Sequence, residues 1–244
     1  AVVKVSDDTG NSETLTMQNP GIYESTALSG TPGRTYSLHV SYNGKEYTSV
    51  CKMPGSVTID TLLQVTQTAN GNTRRFLIPI YADPVSESNY YRIKVYSNEQ
   101  PLNNLFVRND QLSNGTTVTQ PVGPFLLDLT PNDTAKVCLM GIDKSVYEYF
   151  TGLEQALNAS SSAPSNPVSN ISGGCLGYFS AYSKSEKKRK ITEKETNHVS
   201  TRLTMPTKDM GTTIDATTIK FHANQSIQIK KLPLLPSPVQ TTKI

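Results

Sequence analysis

The side chains able to carry chemistry are few and far apart. Cys51, Cys138 and Cys175 stand 87 and 37 positions from one another, which fits neither zinc ligation nor a dense disulfide framework. Cys138 alternates within an apolar run and reads as a buried free thiol, while a Cys51–Cys175 bridge stays open. His39 falls on the polar side of an expected hairpin, and His198 and His222 lie near the C-terminus; none has Cys, Asp or Glu at ligand spacing. No GxSxG elbow or cofactor-binding motif occurs, so neither a serine hydrolase nor a cofactor is expected. DDTGN, Asp7 to Asn11, has the letters of a calcium loop but not its later oxygen ligands, so an Asp/Asn/Gly turn accounts for it. Two carboxylates for glycoside hydrolysis need only meet in space at ~5–9 Å, and sequence separation does not display that.

The densest cluster of special residues is SNISGGCLGYFSAYS, Ser169 to Ser183. A phosphate-binding glycine loop would follow a strand and open a helix. Here a Ser/Pro/Asn loop precedes the glycines, and the residues after them lack helical spacing and a Lys. The segment therefore reads as a turn into a closing strand, with Gly173 and Gly174 supplying tight or positive-φ geometry and Gly177 a bulge or close packing. Cys175 has no basic neighbour to activate it as a nucleophile.

The elements around these residues read as β. In TYSLHVSY, Tyr36, Leu38, Val40 and Tyr42 share one face and Thr35, Ser37, His39 and Ser41 the other. Asn43-Gly44 predicts a type I′ turn, with Lys45 to Cys51 returning. AVVKV opens the chain as another strand, and MPGSVTID, Met53 to Asp60, has the Pro-Gly punctuation of an interdomain connection. Further strands are expected at Arg75–Ala82, Tyr90–Tyr96, Phe125–Leu129 and Ala135–Asp143, with Pro79 indicating an edge or bulge. One helix is expected near 145–158, where Ser145 and Glu148 form a capping-box pattern and Val146, Tyr149, Phe150, Leu153 and Leu157 form an apolar stripe.

Charge is distributed unevenly. Ala1 to Tyr182 holds 11 Lys+Arg against 15 Asp+Glu, whereas Ser183 to Ile244 holds 12 against 5. The KSEKKRK run lacks interleaved aromatics and is diluted by Glu186, Glu193 and Glu195, so it reads as a solvated extension rather than a nucleic-acid site. No nucleic-acid partner is expected, and no apolar run approaches the ~20 residues that span a membrane.

Several phrases taken together resemble a large Bacteroidetes family of outer-membrane lipoproteins, encoded beside TonB-dependent receptors and described as a domain of unknown function. They are NPGIYES, GRTYSLHVSYNGKEYTS, MPGSVTID, YADPVSESNYYRIKVY, LMGIDKSVYEYFTGLEQ and NPVSNISGGCLGYFSAYS, in that order over about residues 1–183. Asn170, Gly173, Gly174, Gly177 and Phe179 form the most specific part. The resemblance implies an all-β chain: an immunoglobulin- or transthyretin-like domain over 1–54, a β-sandwich domain over 55–183 and a basic extension over 184–244. It also implies a lipid anchor on an N-terminal cysteine. This chain starts inside the first domain, without a signal or lipobox, so an incomplete first sheet is expected. No catalytic residue carries over.

The resulting expectation is a non-catalytic surface protein of the cell envelope that binds a glycan or peptide, or assists an outer-membrane TonB-dependent transporter. Loops Asn98–Thr119 and Ala159–Ser172 are the candidate contact regions, with Tyr90 and Tyr96 as candidate stacking residues. Adhesion by strand addition and hydrolysis by converging carboxylates are the alternatives.

Overall fold

Side-chain alternation builds the first sheet. In the computed structural model, which describes residues 1–69, 72–123, 127, 129–158, 166–193, 217–219 and 226–231, strands β1 (Val2–Asp7), β2 (Ser12–Thr14), β5 (Thr35–Tyr42) and β6 (Lys45–Lys52) pair antiparallel in the order β2-β1-β5-β6. A separate hairpin joins β3 (Thr16–Asn19) to β4 (Ile22–Glu24). Tyr36, Leu38, Val3 and Val5 are buried, whereas Ser37 and His39 are exposed, so the hydrophobic face is the one read from the sequence. Asn43 and Gly44 have φ of 51° and 72°, the left-handed pair a type I′ turn requires. DDTGN is a turn: the Asp7 carboxylate accepts from Thr9 N, Asn11 N and Asn11 Nδ2. The Asn11 amide and the Thr9 groups hold that carboxyl far below the usual range against the opposing pull of burial.

The rest of the chain forms two further sheets and a helix. Strands β7 (Thr61–Ala69), β8 (Asn72–Ala82) and β12 (Thr117–Val118) form one, in the order β12-β8-β7. The other contains β9 (Tyr90–Ser97), β10 (Gln100–Pro101), β11 (Phe106–Asn109), β13 (Thr134–Ile142), β14 (Tyr178–Lys190), β15 (Thr217–Ile219) and β16 (Ser226–Lys231). Its path is β10-β9-β13-β14-β16-β15, with β11 also on β9. Helix α1 (Lys144–Asn158) comes directly after β13. Tyr91, Ile93, Val95, Val137 and Leu139 pack toward Leu62, Leu77, Tyr81 and Val118 of the three-stranded sheet. On the opposite face Cys138, Met140 and Ile142 join Tyr36, Leu38, Cys51 and Met53 of the first segment and Val146, Tyr149 and Phe150 of α1. Residues 1–54 thus share a core with β13, β14 and α1. Covered on both faces, β13 carries the near-continuous apolar run VCLMGI in place of strict alternation. Each large side chain so buried contributes roughly 1.5–3 kcal/mol.

Several elements differ from the sequence expectation. The helix cap is Asp143, not Ser145: Asp143 Oδ1 accepts from Ser145 N at 2.7 Å and Ser145 Oγ at 2.5 Å, and Tyr147 N bonds to Asp143 O. A carboxylate one residue outside the helix satisfies the second free N–H and complements the helix dipole, leaving Ser145 inside the first turn. Glu148 consequently does not close a capping box; it lies 3.6 Å from Lys144. Strand β7 is masked in the sequence because its buried face includes Gln64, whose amide bonds to Thr192 O at 2.9 Å and Thr192 N at 3.0 Å. Of the expected strand Phe125–Leu129, Phe125, Leu126 and Asp128 lie outside the described residues; Leu127 and Leu129 are buried, outside any named strand, and Leu129 N donates to Leu127 O at 2.9 Å. Pro79 pairs with Leu62 on one side, while on its other side β12 reaches only Tyr81 and Ala82, so its missing N–H interrupts no ladder. The basic run does not begin a solvated extension: β14 continues through it to Lys190, each residue from Ser183 paired with β13.

Candidate functional site

The glycine-rich segment joins the first sheet to the larger one. Strand β13 leaves β14 at the pair Gly141–Ser183, where α1 begins, so the backbone of Phe179 and Ala181 needs other partners there. Asn170 supplies them for Phe179: Nδ2 donates to Phe179 O at 2.8 Å, Oδ1 accepts from Phe179 N at 2.9 Å, and Nδ2 also reaches Ser145 Oγ at 3.1 Å. Cys51 of β6 meets Ala181, whose N–H approaches Sγ at 3.2 Å. Ser49 Oγ donates to Asn170 O, and Ser172 N to Thr48 O. Gly173, at φ 100°, passes so close to β6 that an added Cβ would lie 2.5 Å from Glu46 O. Gly174 and Gly177 also have positive φ, 77° and 118°, and Gly177 O accepts from Ser169 Oγ. Together these marker residues form a splice between sheets.

Two of the three thiols, Cys51 and Cys138, are buried, and Cys175 is half-buried. Cys51, Cys138 and Cys175 are all free, so the Cys51–Cys175 bridge does not form. Burial, with the Asp143 carboxylate adding to it, pushes the Cys51 thiol up to about 12, and burial raises Cys138 to about 11. Neither forms an appreciable thiolate at neutral pH.

The candidate contact residues Tyr90 and Tyr96 are both on β9. They sit at opposite ends of β9, about 20 Å apart along a strand. The Tyr90 ring lies 5.1 Å from that of Tyr147 on α1, and the Tyr96 ring lies under Lys136 Nζ at 4.4 Å. Lys136 and Lys188, directly opposite each other on β13 and β14, share the carboxylate of Glu99. Both lysines pair with a residue presented by the positive-φ turn Asn98-Glu99, and so KSEKKRK belongs to a cross-strand charge ladder. The span Asn98–Thr119 is divided by β10, β11 and β12, and residues 159–165 of the other candidate loop lie outside the described residues.

A second constellation bears on the converging-carboxylate alternative, for which the sequence named no residues. Asp83, at the end of the 72–82 strand, and Asp110, just after β11, are both buried. Tyr91 donates to Asp83 Oδ1 at 2.5 Å and Gly115 N to Asp83 Oδ2 at 3.3 Å, while Asp110 Oδ2 accepts from Asn89 N at 2.7 Å. Burial raises the Asp83 carboxyl above its usual range, the Tyr91 bond opposing and nearby Asp110 reinforcing the shift. These contacts tie loop 83–89 to loop 110–116. The acids therefore come from separate strand ends, which no spacing rule reveals, and both Asp83 oxygens and Asp110 Oδ2 accept from N–H groups and a phenol. Among the described residues no group of three or more His, Cys, Asp or Glu could hold a metal.

Residues 1–188 match the model of the family described as Domain of unknown function (DUF4249). The match ends inside β14 and so includes most of the basic run. No curated protein and no solved structure matches the chain.

Proposed function

The chain belongs to the DUF4249 family, and we propose that it is a non-catalytic surface lipoprotein of the bacterial outer membrane, serving as a binding or accessory module beside a TonB-dependent transporter. The observation that carries this reading is how the reactive groups are occupied. Cys51 bonds to Ala181, Asp143 caps α1, and Asp83 and Asp110 brace two loops. His39, on the exposed face of β5, pairs with Glu46 across the hairpin at 2.8 Å. Groups engaged in this way stabilise a scaffold, and a β scaffold with braced loops suits recognition. The setting at the envelope and the transporter come from the family resemblance. Affinity capture of the full-length lipoprotein from a native membrane fraction in mild detergent tests it. Co-purification of a TonB-dependent transporter is expected; recovery of the lipoprotein alone would sink the proposal.

A further inference from the structure

Strand β14 changes partners partway along its length. From Ser183 to Lys190 it pairs with β13, and from Tyr178 to Tyr182 it pairs antiparallel with β16, Ser180 standing opposite Gln228. Along such a strand alternate residues turn their N–H and C=O to opposite edges. Phe179 gives both groups to the Asn170 amide, and Ala181 N and O both face Cys51 Sγ, at 3.2 and 3.7 Å. The groups that face β16 are therefore those of Tyr178, Ser180 and Tyr182, all buried residues. Buried main-chain groups must be paired, so this edge requires a strand.

The strand that fills it comes from far along the chain. The edge lies inside the stretch 1–188 that matches the family, whereas β16 begins at Ser226. Residues 191–225 separate the two strands, against about 4–6 residues in a typical connection. A tether of that length gives β16 an effective concentration of about millimolar at the edge, so an added strand has to compete with it. The register sets Ile227 opposite Ala181 and Ile229 opposite Phe179, which selects an extended segment with an apolar residue at every second position. We infer that Tyr178–Tyr182 is a strand-acceptor site plugged in cis by Ser226–Lys231, and that the ligand it takes when the plug is released is an extended peptide of the same alternating pattern. This goes beyond the accessory reading and does not depend on it.

The test uses the full chain and a fluorescein-labelled peptide spanning residues 224–232, with binding read by fluorescence anisotropy. Gln228→Pro removes the N–H that β16 offers to Ser180 and alters nothing in the family-matching stretch. It is expected to bind the peptide on the order of tenfold or more tighter than wild type, whose own strand competes. A peptide with proline in place of Gln228 should bind neither protein. No binding to Gln228→Pro, or equal affinity of the two proteins or of the two peptides, overturns the inference. Pairing Ser180→Cys with Gln228→Cys tests the same edge while it stays filled, because directly opposed residues lie ~5.5 Å apart, within disulfide reach. Oxidation should cross-link these positions within a monomer on a non-reducing gel. A cross-linked dimer would assign the strand to a second copy and overturn the plug in cis; the absence of any cross-link would overturn the pairing itself.

Discussion

Replacing Asn170 with alanine separates the marker segment's structural role from any chemical one. The Asn170 amide takes both backbone groups of Phe179, a residue with no exposed surface, at 2.8 and 2.9 Å. Alanine leaves the Phe179 N–H and C=O without these partners. Each buried group stranded this way costs about 1–3 kcal/mol, so the loss should be roughly 2–6 kcal/mol. The bond to Ser145 Oγ adds little, because that hydroxyl keeps its bond to Asp143. Against a typical domain stability of about 5–15 kcal/mol, urea unfolding would read this as a large drop in midpoint. Asn170→Asp is the sharper variant. It keeps an acceptor for Phe179 N but sets a carboxylate against Phe179 O, so its deficit relative to wild type should shrink as acid protonates the new carboxyl and restores a donor. A loss below about 1 kcal/mol for Asn170→Ala, or an Asn170→Asp deficit indifferent to pH, would refute the reasoning.

Neighbouring geometry gives further outcomes. Gly173→Ala meets both a φ of 100° and Glu46 O at 2.5 Å, whereas Gly174→Ala meets only a φ of 77° and open space. Melting should place Gly174→Ala about 1–2 kcal/mol below wild type and Gly173→Ala well beyond it. Burial would raise the Glu13 carboxyl, but bonds from Ser25, Thr26 and Leu28 prevail and lower it from 4.5 to about 2. A depressed folded-state value means stability present above pH 4.5 and lost as pH falls toward about 2, so Glu13→Gln should melt with a shallower acid dependence over that window. Alkylation of the native protein should modify half-buried Cys175 first and spare Cys51 and Cys138 until denaturant is added. Equal rates at all three would contradict the packing around Ala181.

Sequence legibility tracks how local each interaction is. The β5–β6 hairpin is readable because alternation and Asn43-Gly44 specify it within one stretch. The α1 stripe is readable for the same reason, and Val146, Tyr149 and Phe150 are buried, although Leu157 emerges at the exposed end. The cap lies two residues from its expected place because Asp143 and Ser145 are both good N-cap residues, and the choice depends on where β13 ends. Strand β7 escapes a pattern search because Gln64 looks solvent-facing until Thr192 arrives to satisfy it. The basic run resembles a tail as long as Glu99 is out of view, and a turn far upstream brings that carboxylate between Lys136 and Lys188.

The sequence by itself determined a β-rich chain of this family with one amphipathic helix, since period, turn chemistry and the marker phrase are carried by residues close together. Tertiary structure alone decided that Cys51 and Asn170 complete the open edge of β14, and that Asp83 and Asp110 brace loops 83–89 and 110–116. Those pairings join residues from separate strand ends. A hydrogen bond or a buried carboxylate depends on distance in space, which spacing along the chain does not encode.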